Sequence, residues 1–243
     1  MLGAGQVAGV ILVVIFAAFV SKLSGFGFGL IVVPLMSLFM APRDAVIIST
    51  LLGLVTTLNQ AWVERHHADL PVVRRLFLSA CVGMPLGLLV FVLVPERVLR
   101  VVLGVTVVAA AFVLGRGFRM NGASRRAELA LGFTSGVLNT SVSTNGPPLV
   151  FLLHARGYAP EAFRGTISRV FLYSNLVSVS LFLWAGKVEG PAALTSLVAV
   201  PFVFLMQWAG AKAQPHLHGE RFRILVLSLL FLSGISAVLA AFR

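Results

Sequence analysis

The sequence predicts an all-α polytopic membrane protein of two inverted repeats, each a broken or re-entrant helical hairpin plus about three spanning helices. Three observations carry this. The 243 residues are 58% hydrophobic, with a mean hydropathy of +0.99 and only 11% charged residues, where a soluble domain carries about 25%. The apolar sequence falls into ten runs, five on each side of a polar loop. The basic residues, which give a net charge of +11, are scattered between those runs rather than gathered on one face. That is the pattern of positive-inside topology signals, not of a nucleic-acid-binding surface.

In chain order the runs lie near 4–21, 27–41, 44–62, 71–94 and 97–115, then 127–141, 147–156, 163–186, 191–211 and 222–242. The first run, within MLGAGQVAGVILVV, has no Lys or Arg before it. A cleaved signal peptide needs a basic leader, so this run is expected to be retained. The loop RGFRMNGASRR (116–126) divides the chain into a first membrane repeat (1–116), a cytoplasmic linker (117–126) and a second membrane repeat (127–243).

The halves echo each other. Gly29–Leu30 and then Pro42 align with Pro147–Pro148 and then Pro160 at one constant offset. ADLPVV (68–73) pairs with VEGPAA (188–193), and PERVLRVVL (95–103) with GERFRILVL (219–227), at slightly larger offsets. An odd number of crossings per copy inverts the second copy in the membrane. Placing alternate loops on alternate sides puts 13 of the 19 Lys and Arg residues on one side and 5 on the other, with Arg169 inside a run. The richer side is expected to be cytoplasmic, with both termini outside.

Run lengths refine this. A spanning helix needs about 20 residues, and runs of 10–14 are more often re-entrant. The stretches 127–141 and 147–156 are short, so the first two runs of each half are expected to form hairpins that enter and leave on one side. Their tips, SKLSGFGFG (21–29) and NTSVSTNGPP (139–148), then sit at membrane depth. With Lys22 moved to a tip, the tally becomes 12 against 5.

Irregular backbone at that depth must be buried in protein or line a cavity, so the tips are expected to meet. Asn145 before Gly146 and Pro147 has the pattern of a helix start, which presents amides and a positive dipole end to an anion. Candidate substrate-binding residues are Ser24, Gly25 and Gly27 at the first tip, and Asn139, Ser143, Thr144, Asn145 and Gly146 at the second. Arg169, about two turns into its span, completes the set, since an intramembrane Arg is costly and often functional. Lys22 and Arg164 are the other cations near the tips. Asn59, Gln60, Tyr173 and Asn175 are expected to act as interhelical glue, and Gly83–Gly87 as a packing motif.

The exclusions are as useful. All eight carboxylates lie at or near run ends, which disfavours coupling through buried acids. There is no nucleotide-binding motif, no Ser/His/Asp set and no metal-ligand spacing among the five His and the lone Cys81. No enzyme, cofactor or metal is expected. The expected partners are a small anionic substrate and the lipid bilayer, not nucleic acid; a homodimer stays open. An inside-negative potential drives anions outward at about 2.3 kcal/mol per charge per 100 mV, so an exporter needs only a gated anion site.

SGFGFGLIVVPLM (24–36), NGPPLVFLL (145–153) and FRGT (163–166) resemble the TauE/SafE sulfite exporter family of permeases, over essentially the whole chain. The resemblance implies a bacterial inner-membrane transporter of sulfite, sulfoacetate or other organosulfonates, usually outward. Members often carry three consecutive glycines where this chain has GFGFG. Two alternatives remain from the residues: a transporter of another solute or a cation on the same fold, and a non-transporting membrane subunit.

Overall fold

The computed structural model describes residues 3–116 and 124–213, with Phe231 and Ile235. The tenth run (222–242), its 219–227 match and most of the 117–126 linker lie outside the described residues. Every regular element described is helical: α1 (Ala4–Ser24), α2 (Phe28–Met36), α3 (Pro42–Val63), α4 (Leu70–Leu93), α5 (Glu96–Arg116), α6 (Arg125–Val142), α7 (Gly146–Ala155), α8 (Pro160–Trp184) and α9 (Gly190–Ala213).

Helices α1, α3, α4, α8 and α9 are long and apolar enough to cross a membrane. The exterior agrees: Trp62, Val82, Leu93 and Trp184 are largely exposed, while Ser49, Thr50, Thr56, Gln60, Asn139 and Thr140 are buried. A soluble protein does not expose apolar surface on this scale, and the chain is a polytopic membrane protein.

Helices α2 and α7 have nine and ten residues. At 1.5 Å per residue they extend about 15 Å, half the hydrocarbon thickness. The sequence places the second run at 27–41, but α2 ends at Met36. There Ser37 turns its hydroxyl back to Val33 O (2.7 Å), and Leu38 N bonds Leu35 O in a tighter turn.

The long-helix contacts pair α1 with α9 and α4 with α6; α3 packs on α8 and α9, and α8 on α4. The α4–α6 crossing is the tightest. Gly83 and Gly87 of α4 face Gly132 and Gly136 of α6. A Cβ on Gly83 would overlap Phe133 O, on Gly87 Val137 O, and on Gly136 Ala80 O. Two small-xxx-small motifs thus let two backbones touch. Gly83–Gly87 packs within the chain here, and Thr140 Oγ1 adds a bond across the crossing to Met84 O (2.7 Å).

Candidate functional site

The break between α1 and α2 is built by glycine. Gly25 closes α1 in a left-handed conformation (φ 80°), donating to Ser21 O (2.8 Å), and Gly27 opens α2 at φ 94°. The break between α6 and α7 uses Ser143 (φ 53°), which donates from its amide to Asn139 O (3.0 Å). A non-glycine residue in this region is uncommon. Contacts with α3 hold it: Ser143 Oγ donates to Ser49 Oγ (3.1 Å) and accepts from Thr50 Oγ1 (3.2 Å).

The two tips touch. A Cβ on Gly29 would overlap Ser143 O, and one on Gly146 would rest 3.7 Å from Phe26. Between them lies a cavity of about 30 Å³, room for about two waters. The first tip contributes Phe26, Gly27, Phe28, Gly29 and Leu30, with Ser21 before it; the second contributes Ser143, Thr144, Asn145 and Gly146. Helix α3 lends Ser49, Gly53, Thr56, Thr57 and Gln60, and α8 lends Phe171 and Asn175. Among the described residues, no lining side chain carries a charge.

Helices α2 and α7 both begin at this cavity. The first amides of a helix have no intrahelical partner, and both positive dipole ends point inward. The two ends differ in donors. Pro147 and Pro148 have no N–H, so α7 offers few amides, whereas Phe28, Gly29 and Leu30 of α2 all carry one. Side chains make up the difference at α7. Asn145 holds the cap position, but its side chain forms no cap bond. Its Nδ2 and the neighbouring Thr144 Oγ1 are buried without a hydrogen-bond partner among the described residues. Buried polar atoms are nearly always paired, and such orphans call for a water or an ion.

Of the residues singled out from sequence, Gly27, Ser143, Thr144, Asn145 and Gly146 line the cavity. Four do not. Ser24 Oγ donates to Phe26 O (2.7 Å) and Val20 O (2.9 Å), bracing the turn. Gly25 closes α1 against the Arg164 stem. Asn139 Nδ2 donates to Ser178 Oγ (2.8 Å). Arg169 donates to Arg65 O (3.1 Å) at the surface; two residues before Phe171, it points about 200° away around α8.

Gln60 and Asn175, expected to be glue, line the cavity while bonding Ser21 Oγ (3.2 Å) and Thr57 Oγ1 (3.4 Å). Asn59 does bridge helices, donating to Gln207 Oε1 (2.5 Å), and Tyr173 packs on Phe77. The missed α3 wall had a signal: Ser49, Gly53, Thr56 and Gln60 fall at helical spacing in an apolar span. Close by, Arg164 Nε bonds Glu64 Oε1 (3.1 Å), and Lys22 is 6% exposed, within the field of both.

Membrane-length helices around a small site of hydroxyls and amides define a polytopic membrane protein with an internal polar site, the class to which permeases belong. The family model described as "Sulfite exporter TauE/SafE" matches residues 10–237, and the chain belongs to that family. It is a membrane transporter, not an enzyme. It is 26% identical over 233 residues, 90% of this chain and 88% of the relative, to a protein of Cupriavidus necator H16 named "Probable sulfite/organosulfonate exporter TauE". No solved structure matches the chain.

Proposed function

We propose that the protein exports a small sulfur oxyanion, sulfite or a short organosulfonate, by alternating access around the cavity between the two tips. The observation that carries this is the orphaned pair, Thr144 Oγ1 and Asn145 Nδ2, beside the amides of α2. These donors converge on a space with no carboxylate among its described lining residues to repel an anion. Lys22 and Arg164 provide positive charge on the approach from the basic, cytoplasmic side.

The paired contacts support an inverted repeat of 1–116 and 127–243 about the 117–126 linker. Exchanging α1 with α6, α2 with α7, α3 with α8 and α4 with α9 turns the α1–α9 contact into α6–α4, and α3–α9 into α8–α4. The α3–α8 contact maps onto itself. The short α2 and α7 then act as re-entrant arms, the termini face outward, and the membrane is the bacterial inner membrane. Phe26, Phe28 and Phe171 close around the space, so an organosulfonate tail requires them to move.

Proteoliposomes loaded with labelled sulfite, sulfoacetate or isethionate test this. Efflux of at least one, stimulated by an inside-negative potential and absent from empty liposomes, is expected. Flux of none of them would sink the reading, and flux of a cation stimulated by an inside-positive potential would replace it.

A further inference from the structure

A second cavity opens far from the tips, where the start of α4, the start of α6 and the end of α7 meet. It is lined by Arg74, Arg75, Arg125 and Arg156, with Glu128, and by Leu70, Pro71 and Leu78. Glu128 is buried and ion-paired to both Arg75 and Arg156. That bridge fixes two guanidinium groups side by side on the floor. Arg74 and Arg125 are exposed and form no ion pair among the described residues. Four lining cations against the lining Glu128, with Asp69 in the field of Arg75, leave the basin net positive.

Below Arg74 the surface changes character abruptly. Leu78, Val82, Leu86, Leu89 and Leu93 are all exposed. Their spacing of three and four residues makes one stripe down α4. Leu129 and Phe133 of α6 are exposed too, and they continue it sideways across the α4–α6 crossing. A cationic basin at a membrane-helix end, above an apolar stripe running into hydrocarbon, matches a molecule with an anionic head and long apolar tails. We propose that this is a binding site for an anionic phospholipid of the leaflet at the arginine-rich end. Its phosphodiester lies among Arg74, Arg75, Arg125 and Arg156, and its acyl chains lie along α4.

The charge pattern disfavours a second copy of the chain on this face, because a two-fold axis along the membrane normal would bring like arginines together. It also separates this basin from the transport cavity, which has no charged lining. Basic pockets between membrane helices are a known physical solution for anionic headgroups, each cation contributing about 1 kcal/mol near the surface.

Native mass spectrometry of delipidated full-length protein, titrated with phosphatidylglycerol or phosphatidylcholine, reads the site. Phosphatidylglycerol is expected to bind about tenfold tighter or more. The double variant Arg74→Gln/Arg125→Gln should abolish that preference, and Arg74→Lys/Arg125→Lys should largely retain it. Both positions are exposed, so an unchanged melting temperature is expected. Should the glutamine variant not fold, the wild-type preference must still fall as salt is raised. Leu86→Asn, on the stripe and outside the basin lining, should weaken phosphatidylglycerol but leave any binding of inorganic phosphate untouched. No preference in the wild type, or a preference that survives in the folded glutamine variant, overturns the proposal. So does displacement of the lipid by millimolar inorganic phosphate, which would make the basin a free-anion site. Conversion of a dimer to a monomer by Arg74→Gln/Arg125→Gln without any change in lipid binding would assign the face to a second copy instead.

Discussion

Thr144 and Asn145 place polar atoms in a buried space and leave them unbonded. Leaving a buried donor unmade costs about 1–3 kcal/mol, and a hydrogen bond to a charged group is worth about 1.5–3 kcal/mol. The resting fold therefore bears a penalty that a bound anion would remove. This separates stability from transport in one substitution. Thr144→Val deletes the orphaned hydroxyl and keeps the shape, so the melting temperature in detergent is expected to hold or rise. Sulfite flux is expected to fall about 10–100-fold, the loss of one charge-assisted bond. A variant that melts early, or one that transports normally, contradicts the assignment. Arg169→Gln makes the contrast: its guanidinium meets a surface carbonyl, and flux is expected to stay within about twofold, since surface changes away from the site are small.

At the scale of elements, close backbone approach is the organising constraint. Gly136 rests on Ala80 O with no room for a Cβ. Gly136→Val must separate α4 from α6, and overpacking of this kind costs about 1–3 kcal/mol or more. Loss of the monodisperse peak in size-exclusion chromatography is expected, while Gly190→Ala, with open space around it, should behave as wild type. The α7–α8 connection is pinned separately. Tyr158 OH donates to Asp69 Oδ2 (2.6 Å), and Asp69 caps α4 through Val72 N (3.2 Å). Burial and the Asp69 carboxylate push the Tyr158 hydroxyl from 10 up to about 12. A folded-state value above the unfolded one means the contact is fully present below pH 10 and is lost as pH rises towards 12. The stability gap between wild type and Tyr158→Phe, followed by thermal melts, should be constant up to pH 10 and close above it.

These elements also show what the chain discloses by itself. The long helices are plain from apolar run lengths, and both breaks are announced by GFGFG and NGPP. The end of α2 is not, because residues 37–41 are still mostly apolar and only the Ser37 turn stops the helix. Nor is the left-handed Ser143, since its conformation is held by Ser49 and Thr50, more than ninety residues away. Arg169 misled because charge at depth reads as function, whereas its direction depends on which side of α8 faces α3. The α3 wall was legible only as a faint polar stripe, which the surrounding Leu and Val residues obscure.

For the molecule as a whole, the decisive property is the sign of its interior. The cavity between the tips is lined, among the described residues, by uncharged polar and apolar groups. The carboxylates Glu64, Asp69 and Glu128 stand outside that lining and are engaged with arginine, tyrosine or backbone partners. On the proposed reading, no described residue of that lining is a proton-binding acid, so a transported anion would carry its charge alone. The membrane field then acts on the transported species directly, at about 2.3 kcal/mol per charge per 100 mV. For a singly charged sulfonate this corresponds to an outside-to-inside ratio of about 50 at equilibrium under 100 mV, inside negative. In oriented proteoliposomes with the potential clamped by potassium and valinomycin, the final isethionate ratio should follow the potential with the slope of one charge. It should not respond to an imposed pH gradient. A ratio that tracks the pH gradient and ignores the potential would mean that a proton travels with the anion. One of the paired carboxylates would then have to leave its arginine during the cycle, with Glu64 the first to examine because its Arg164 partner packs against the Gly25 turn.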